Sequence, residues 1–261
     1  MRKIVLCLFA SSYVLSFSNA IYANDEITDA ANMKVTALIK PNKSFFIGAG
    51  AGMNWLLYGQ TTNTLYYTPY PYVDPYINDH SSTAGSITAD FGYRWASDIT
   101  YSVGLRYEHI LSSKVNGSLL VLNNPTFPYN FSSNTSSNVL LLFGKFDLSR
   151  IWRISPYGRI GLGMASNSFE DYSEAPANNA TPRNVSFGSN SNIGFAYDLG
   201  FGLDYAFKQH YILSVGYDYE SLGTLKSGNG SYNYVTNANN QLNFGKLTAN
   251  KVIAELNYIF K

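Results

Sequence analysis

The residues best suited to chemistry are charged side chains set two or more even steps apart in otherwise apolar segments. Asp90 and Arg94 share one segment and Arg106 and Glu108 a second. Lys145 and Arg159 each occupy one, and Asp198 with Asp204, Asp218 with Glu220, and Lys251 with Glu255 complete the set. Successive side chains of a strand point to opposite faces, so even spacing puts these charges on one face. A charge withdrawn from water is tolerated only when it is paired. Two chemistries fit: a paired network that fills the inside of a closed sheet, or a polar conduit for protons or small ions. Acid–base catalysis has little to work with. The three histidines, His80, His109 and His210, fall in separate segments, and two on one side are too few for a zinc-type site. Gly48-Ala49-Gly50-Ala51-Gly52 fails as a dinucleotide fingerprint, because no helix opens after it and its glycines share one strand face. No catalytic residue, cofactor or metal is expected.

The elements that must position those charges are strands. Alternation predicts eight of them, over 44–54, 84–95, 99–110, 137–148, 155–165, 193–207, 211–220 and 250–260. The sixth is the most regular, with Phe195, Tyr197, Leu199, Phe201, Leu203, Tyr205 and Phe207 alternating with Ala196, Asp198, Gly200, Gly202, Asp204 and Ala206. In the fourth, Leu140, Leu142 and Phe146 are placed outward and Lys145 inward. Glycines on the charged faces, such as Gly161, Gly200 and Gly216, are expected to make room for long arginines. Short connections (96–98, 149–154, 208–210) alternate with long ones (55–83, 111–136, 166–192, 221–249), the rhythm of a transmembrane barrel with short periplasmic turns and long outer loops. The first long loop, including 64–79, is expected to add no strand to the ladder. Aromatic residues gather in two belts: Tyr93, Trp95, Tyr101, Phe146, Tyr205, Phe207, Tyr211, Tyr258 and Phe260 near the short turns, and Trp55, Tyr107, Phe195, Tyr197, Tyr217 and Tyr219 near the long loops.

Composition narrows the class further. Charged residues are 13% of the chain, while 22 Tyr and 16 Phe exceed what a soluble domain of this size needs. Residues 1–23 read as a signal peptide, with Arg2 and Lys3 before an apolar run from Ile4 to Leu15 and a cleavage site at Ser18-Asn19-Ala20 or Ile21-Tyr22-Ala23. Cys7 leaves with that segment, so no disulfide is expected. Without Arg2 and Lys3, the 18 basic residues fall to 16 against 17 acidic ones, a balance that excludes an electrostatic nucleic-acid binder. Residues 24–43 form a polar lead-in, either a short rim helix ended by Pro41 or a loose tail, and 44–261 the barrel. The longest later apolar run, Val139 to Phe143, is too short for a membrane helix. A membrane form must therefore be a closed barrel.

The chain ends Leu256-Asn257-Tyr258-Ile259-Phe260, followed by Lys261. This ending resembles the terminal strand recognised during assembly of bacterial outer-membrane barrels, although such strands usually stop at the aromatic residue. With the signal, the strand rhythm and the segment Pro156-Tyr157-Gly158-Arg159-Ile160-Gly161-Leu162-Gly163, the chain resembles the small eight-stranded outer-membrane proteins of the OmpA, OmpX and opacity type. The resemblance covers about four-fifths of the chain. It implies an all-β up-and-down antiparallel barrel in the outer membrane of a Gram-negative bacterium, with both termini periplasmic. Tyr58, Tyr258 and Phe260 are assigned to the assembly signal. The implied partners are outer-membrane lipid, lipopolysaccharide and the barrel-assembly machinery. Proteins of this kind include anchors, adhesins, small pores and a few lipid-modifying enzymes. Arg106-Tyr107-Glu108-His109 resembles lipid A deacylases in part, but the serine that should follow the histidine by two positions is displaced to Ser112, which changes strand face. The Tyr/Pro-rich first loop carries Tyr66, Tyr67, Tyr70, Tyr72 and Tyr76, rigid amphipathic groups suited to a host-cell, matrix or glycan surface or to the sugars of lipopolysaccharide. The expected function is a structural or adhesin-like surface protein, with a narrow pore as the alternative.

Overall fold

The computed structural model describes residues 43–59, 63–66, 73–96, 99–148, 152–178, 182–232, 235–237 and 241–260. The signal peptide, almost all of the lead-in and Lys261 lie outside these residues. The strands are β1 (Lys43–Tyr58), β2 (Asn63–Tyr66), β3 (Val73–Asn78), β4 (Ser81–Trp95), β5 (Thr100–Leu120), β6 (Pro128–Asp147), β7 (Ile154–Pro176), β8 (Val185–Phe187), β9 (Asn190–Lys208), β10 (Tyr211–Lys226), β11 (Gly230–Tyr232), β12 (Val235–Asn237) and β13 (Asn243–Ile259). Eight long strands, β1, β4, β5, β6, β7, β9, β10 and β13, pair antiparallel with their neighbours in sequence. Pairing of β13 with β1 makes the last strand meet the first and closes the barrel. Among the described residues no helix is long and apolar enough to cross a membrane.

The strands run much further than the alternation predicted. β5 has 21 residues and β7 has 23, about twice the ~9–11 that cross a bilayer. Most of the expected loops 111–136 and 166–192 are therefore strand. The expected first loop also enters the ladder: β2 pairs with β3, and Tyr76, Ile77 and Asn78 of β3 pair with Leu119, Ser118 and Gly117 of β5. Excluding 64–79 from the ladder was incorrect, because β3 takes the place beside β5 that β4 vacates beyond Ser86.

The reason for the added length is an inversion of the two faces along the barrel. In the proximal half, where Lys43 and Ile259 lie, side chains such as Phe91, Leu105, Leu142, Leu162, Leu199 and Leu256 point outward, and polar side chains fill the inside. In the distal half the outward side chains are polar, as with Lys114, Asn116 and Ser118 of β5. The inward ones form an apolar core that includes Val115, Leu119, Phe131, Phe169, Leu225 and Phe244. A β-bulge between Ile110 and Ser113 sits where β5 passes from one regime to the other. In β10, Gly223 at φ +82° makes a close approach to Gly194, and a Cβ there would lie 3.1 Å from the Gly194 Cα. A small sheet of β8, β11 and β12 adds Val185 and Phe187 to the distal core, with Phe187 edge-on to Tyr76 and Tyr172.

Candidate functional site

The lumen of the proximal half is the first candidate. Of the twelve charged residues expected on this face, eleven are buried inside the barrel and Lys145 is half-buried. They form two networks. In the larger, Arg106 donates to both oxygens of Asp90, at 2.7 and 2.5 Å, and to Glu255. Arg159 donates to Asp198 at 3.1 Å, to Glu255 at 3.4 Å and to Asp218. Lys251 donates to Glu108 at 2.5 Å and to Glu220, and lies 3.6 Å from Asp218. The smaller network lies nearer the proximal mouth. Lys145 donates to both oxygens of Asp204, at 2.8 and 2.7 Å, and Arg94 to Asp147 at 3.2 Å. Asp147 was missed from the sequence, although it stands two residues after Lys145 and so shares its face.

The glycines opposite these groups have a different use from the one expected. A Cβ on Gly200 would fall 2.0 Å from Asp218 Oδ1, one on Gly161 2.1 Å from Asp198 Oδ1, and one on Gly216 2.1 Å from the Tyr157 hydroxyl. They make room for carboxylates from the adjacent strand and for a phenol from the strand beyond it, not for the arginines.

The networks close the lumen. Near the proximal mouth, among Arg94, Lys145, Asp204 and Asn257, lies a small cavity of about 30 Å³. Beyond the ion pairs lies a hydroxyl layer in which Tyr58 bonds Ser82 at 2.8 Å and Thr135 at 3.1 Å. The apolar distal core follows. Tyr58 therefore does not belong to an assembly signal: it is buried inside and pairs in register with Leu247, whereas Phe46 at the other end of β1 pairs with Ile259. Tyr258 and Phe260 do face outward at the proximal rim, edge to face at 5.1 Å, and the Phe260 N–H donates to the Phe45 carbonyl.

Both aromatic belts point outward. The distal one has polar handles, with the Tyr107 hydroxyl donating to Asn138 at 2.8 Å and the Tyr217 hydroxyl to Asn250 at 2.6 Å. An apolar band between two such belts, around a closed ladder with a polar interior, is the reverse of a soluble barrel. This barrel is built to span a membrane. No protein-family model matches the chain, and no curated protein matches it. Solved structures do. Neisserial surface protein A matches at 15% identity over 84% of this chain and 100% of its own, with a TM-score of 0.41. Ail, the attachment invasion locus protein of Yersinia pestis, matches at 11% over 84% and 100%, with a TM-score of 0.36. The N-terminal β-barrel domain of Pseudomonas aeruginosa OprF matches at 12% over 84% and 98%, with a TM-score of 0.33.

The distal half holds a second cluster, which the sequence did not reveal. Arg183, in the segment between β7 and β8, pairs with Asp74 of β3 and at 2.6 Å with Glu174 of β7, and stacks 5.0 Å over the Tyr129 ring. Glu174 also accepts from the Tyr172 hydroxyl at 2.7 Å. Burial, with Glu174 nearby, pushes the Tyr76 phenol above its ordinary range, and burial does the same to Tyr172. Tyr76 is 1% exposed, so it cannot serve as a contact residue on a loop surface. It packs against Phe131 and Phe187 instead. Tyr66 ends β2, while Tyr67, Tyr70 and Tyr72 lie outside the described residues.

His109 faces outward with Nδ1 2.9 Å from Asn138, while Glu108 beside it points inward to Lys251. His210 holds the Ile259 carbonyl with Nδ1 at 2.8 Å, pinning the last strand to the turn before β10.

Proposed function

We propose that this chain is a non-conducting surface protein of the Gram-negative outer membrane, whose distal half stands outside the cell as a rigid mount for its loops. The observation that carries this reading is the inversion of faces. The proximal half offers lipid an apolar exterior, whereas the distal half offers water a polar exterior over its own core. Such a structure can hold binding loops well above the membrane, and loops on a rigid scaffold are where binding concentrates. Short connections such as Gln209-His210 lie at the proximal end, which supports a periplasmic location for that end and for both termini. Tyr258 and Phe260 are suited to recognition by the assembly machinery, and the apolar band to lipid and lipopolysaccharide. The segment between β2 and β3, with Tyr67, Tyr70 and Tyr72, is the proposed contact for a host-cell, matrix or glycan ligand. The catalytic reading is set aside because Glu108 and His109 face opposite ways. A narrow pore is disfavoured by the buried ion pairs and the apolar distal core that occupy the inside of the barrel.

The test uses cells displaying the protein, with residues 67–72 replaced by a Gly/Ser linker of equal length. The barrel should assemble normally, shown by faster gel migration of unboiled samples, while attachment to host cells or matrix is lost. Unchanged attachment, or no attachment by the intact protein, would overturn the adhesive part of the proposal.

A further inference from the structure

We propose that the outer wall of the distal half carries a shallow binding site for an uncharged saccharide, supplied by the glycolipid that surrounds the barrel in the outer leaflet. The inference rests on the outer-membrane reading above. The site is a dish of about 500 Å³ over β5, β6 and β7. Asn116, Ser132 and Ser173 form one outward row across the three strands, and Ser118, Asn130 and Ala175 form the next. Between the rows Phe131 is buried and Glu174 turns inward to Arg183, so backbone forms the floor. The hollow has a local cause. The pairing of β6 with β7 slips between Ser132 and Asn134, where Asp171 takes φ +53°. A bulge of this kind bends the strand that carries it.

Three observations name the occupant. The first is the state of the polar groups. Elsewhere on this wall they pair with one another, Ser168 with Ser191 at 2.9 Å and Asn134 with Asp171 at 2.9 Å. Among the described residues, the side chains of Asn116, Ser118 and Asn130 have no such partner. They leave amide and hydroxyl groups for a ligand rich in hydroxyls. The second is charge. The described lining holds two carboxylates, Asp79 and Glu174, and no lysine or arginine, and Glu174 is committed to Arg183. Such a lining repels phosphate and sulfate. Ala175 is the only apolar side chain that points outward among the described lining residues, so a protein partner would find no anchor. The third is place. Asn116 stands ~30 Å along β5 from Tyr107 of the outer belt at ~3.3 Å per residue, or ~20 Å above the belt at a tilt of ~45°. The dish faces sideways, toward the sugars of neighbouring glycolipids. Water-exposed hydrogen bonds give weak binding, which suffices for a ligand held beside the barrel at an effective concentration of ~1 mM.

The experiment uses the whole mature barrel refolded in detergent, with assembly checked by faster gel migration of unboiled samples. The probe is the saccharide of lipopolysaccharide from the producing bacterium, cleaved from lipid A by mild acid and separated into neutral chain and phosphorylated core. Saturation-transfer NMR reads contact between barrel and saccharide protons. The neutral chain should receive saturation with a dissociation constant of ~1 mM, and the core several-fold less. The Asn116→Ala, Asn130→Ala double variant changes only exposed side chains, so it should assemble and bind ~10-fold more weakly. Ser168→Ala, on the same wall outside the dish, should bind as the wild type does. If the double variant does not assemble, Ser118→Glu, which adds a charge to the dish, takes its place. The proposal is overturned if the assembled wild type transfers no saturation to the neutral chain, or if the core binds as well as that chain. It is equally overturned if the double variant binds like the wild type. Each of these failures leaves gel migration and loop-dependent attachment untouched, so the outer-membrane reading stands or falls separately.

Discussion

Replacing Lys251 with methionine removes the hub of the larger lumen network while keeping most of the side-chain volume. The Lys251 ammonium is wholly buried, donates to Glu108 at 2.5 Å and to Glu220, and lies 3.6 Å from Asp218. Its loss leaves Glu108 and Glu220 without their cation, while Asp218 keeps Arg159, and the larger network then holds six carboxylates against two cations. Breaking one side of a buried ion pair costs ~3–5 kcal/mol, a large share of the ~5–15 kcal/mol that stabilises a typical domain. Because the damage comes from an uncompensated charge, adding Glu108→Gln should recover part of it. The double variant is expected to be ~1–3 kcal/mol more stable than the sum of the two single effects. The assay is urea unfolding of barrels refolded into lipid vesicles, followed by gel mobility and tryptophan fluorescence. Lys208→Met, at the exposed end of β9, serves as the reference and should change stability little. A cost below ~1 kcal/mol for Lys251→Met, in the range of an exposed pair, would refute the reasoning. Strict additivity in the double variant would refute it too.

Leu199→Arg places a charge against lipid in mid-strand and should cost ~2–4 kcal/mol in the same assay. Gly200→Ala, one residue on, must displace the Asp218 carboxylate and should cost ~1–3 kcal/mol by overpacking. Arg183→Gln leaves Asp74 and Glu174 without their buried counterion, so proteinase K should cut the 182–189 segment faster while the proximal barrel stays resistant. Excising 64–79 removes β3 and Tyr76 and should loosen the distal half in the same way without preventing membrane assembly. The raised phenols of Tyr76 and Tyr172 stay neutral to higher pH in the folded state than in the unfolded one. Distal packing is therefore intact below about pH 10 and weakens as pH rises beyond it, which proteolysis at pH 8 and pH 11 should reveal.

The membrane-spanning part was legible because its rule is simple: apolar side chains at every second position, interrupted by charges on the other face. Leu199 and Asp198 follow that rule, and so do Leu256 and Glu255. The distal half was not legible, because there the same strands exchange the roles of their faces. In β5 the apolar residues pass from the outward positions Leu105 and Tyr107 to the inward positions Val115 and Leu119, across a bulge that also shifts the phase. A reading that follows an apolar outer face loses the strand at that point and counts the rest as loop. Tyr58 and Tyr76 were misplaced for the same reason, since an aromatic residue beyond the outer belt reads as exposed until the distal core is known. Arg183, Asp74 and Glu174 come together from positions up to 109 residues apart, with no local spacing to announce them.

In the proposed reading the barrel is closed by its own side chains. The most direct test of that closure is single-channel recording across a planar lipid bilayer containing the purified, correctly folded barrel at physiological salt. The lumen networks, the hydroxyl layer and the distal core predict a membrane that stays at its baseline conductance. Stable, repeated opening steps from the wild-type protein would contradict the account and restore the pore.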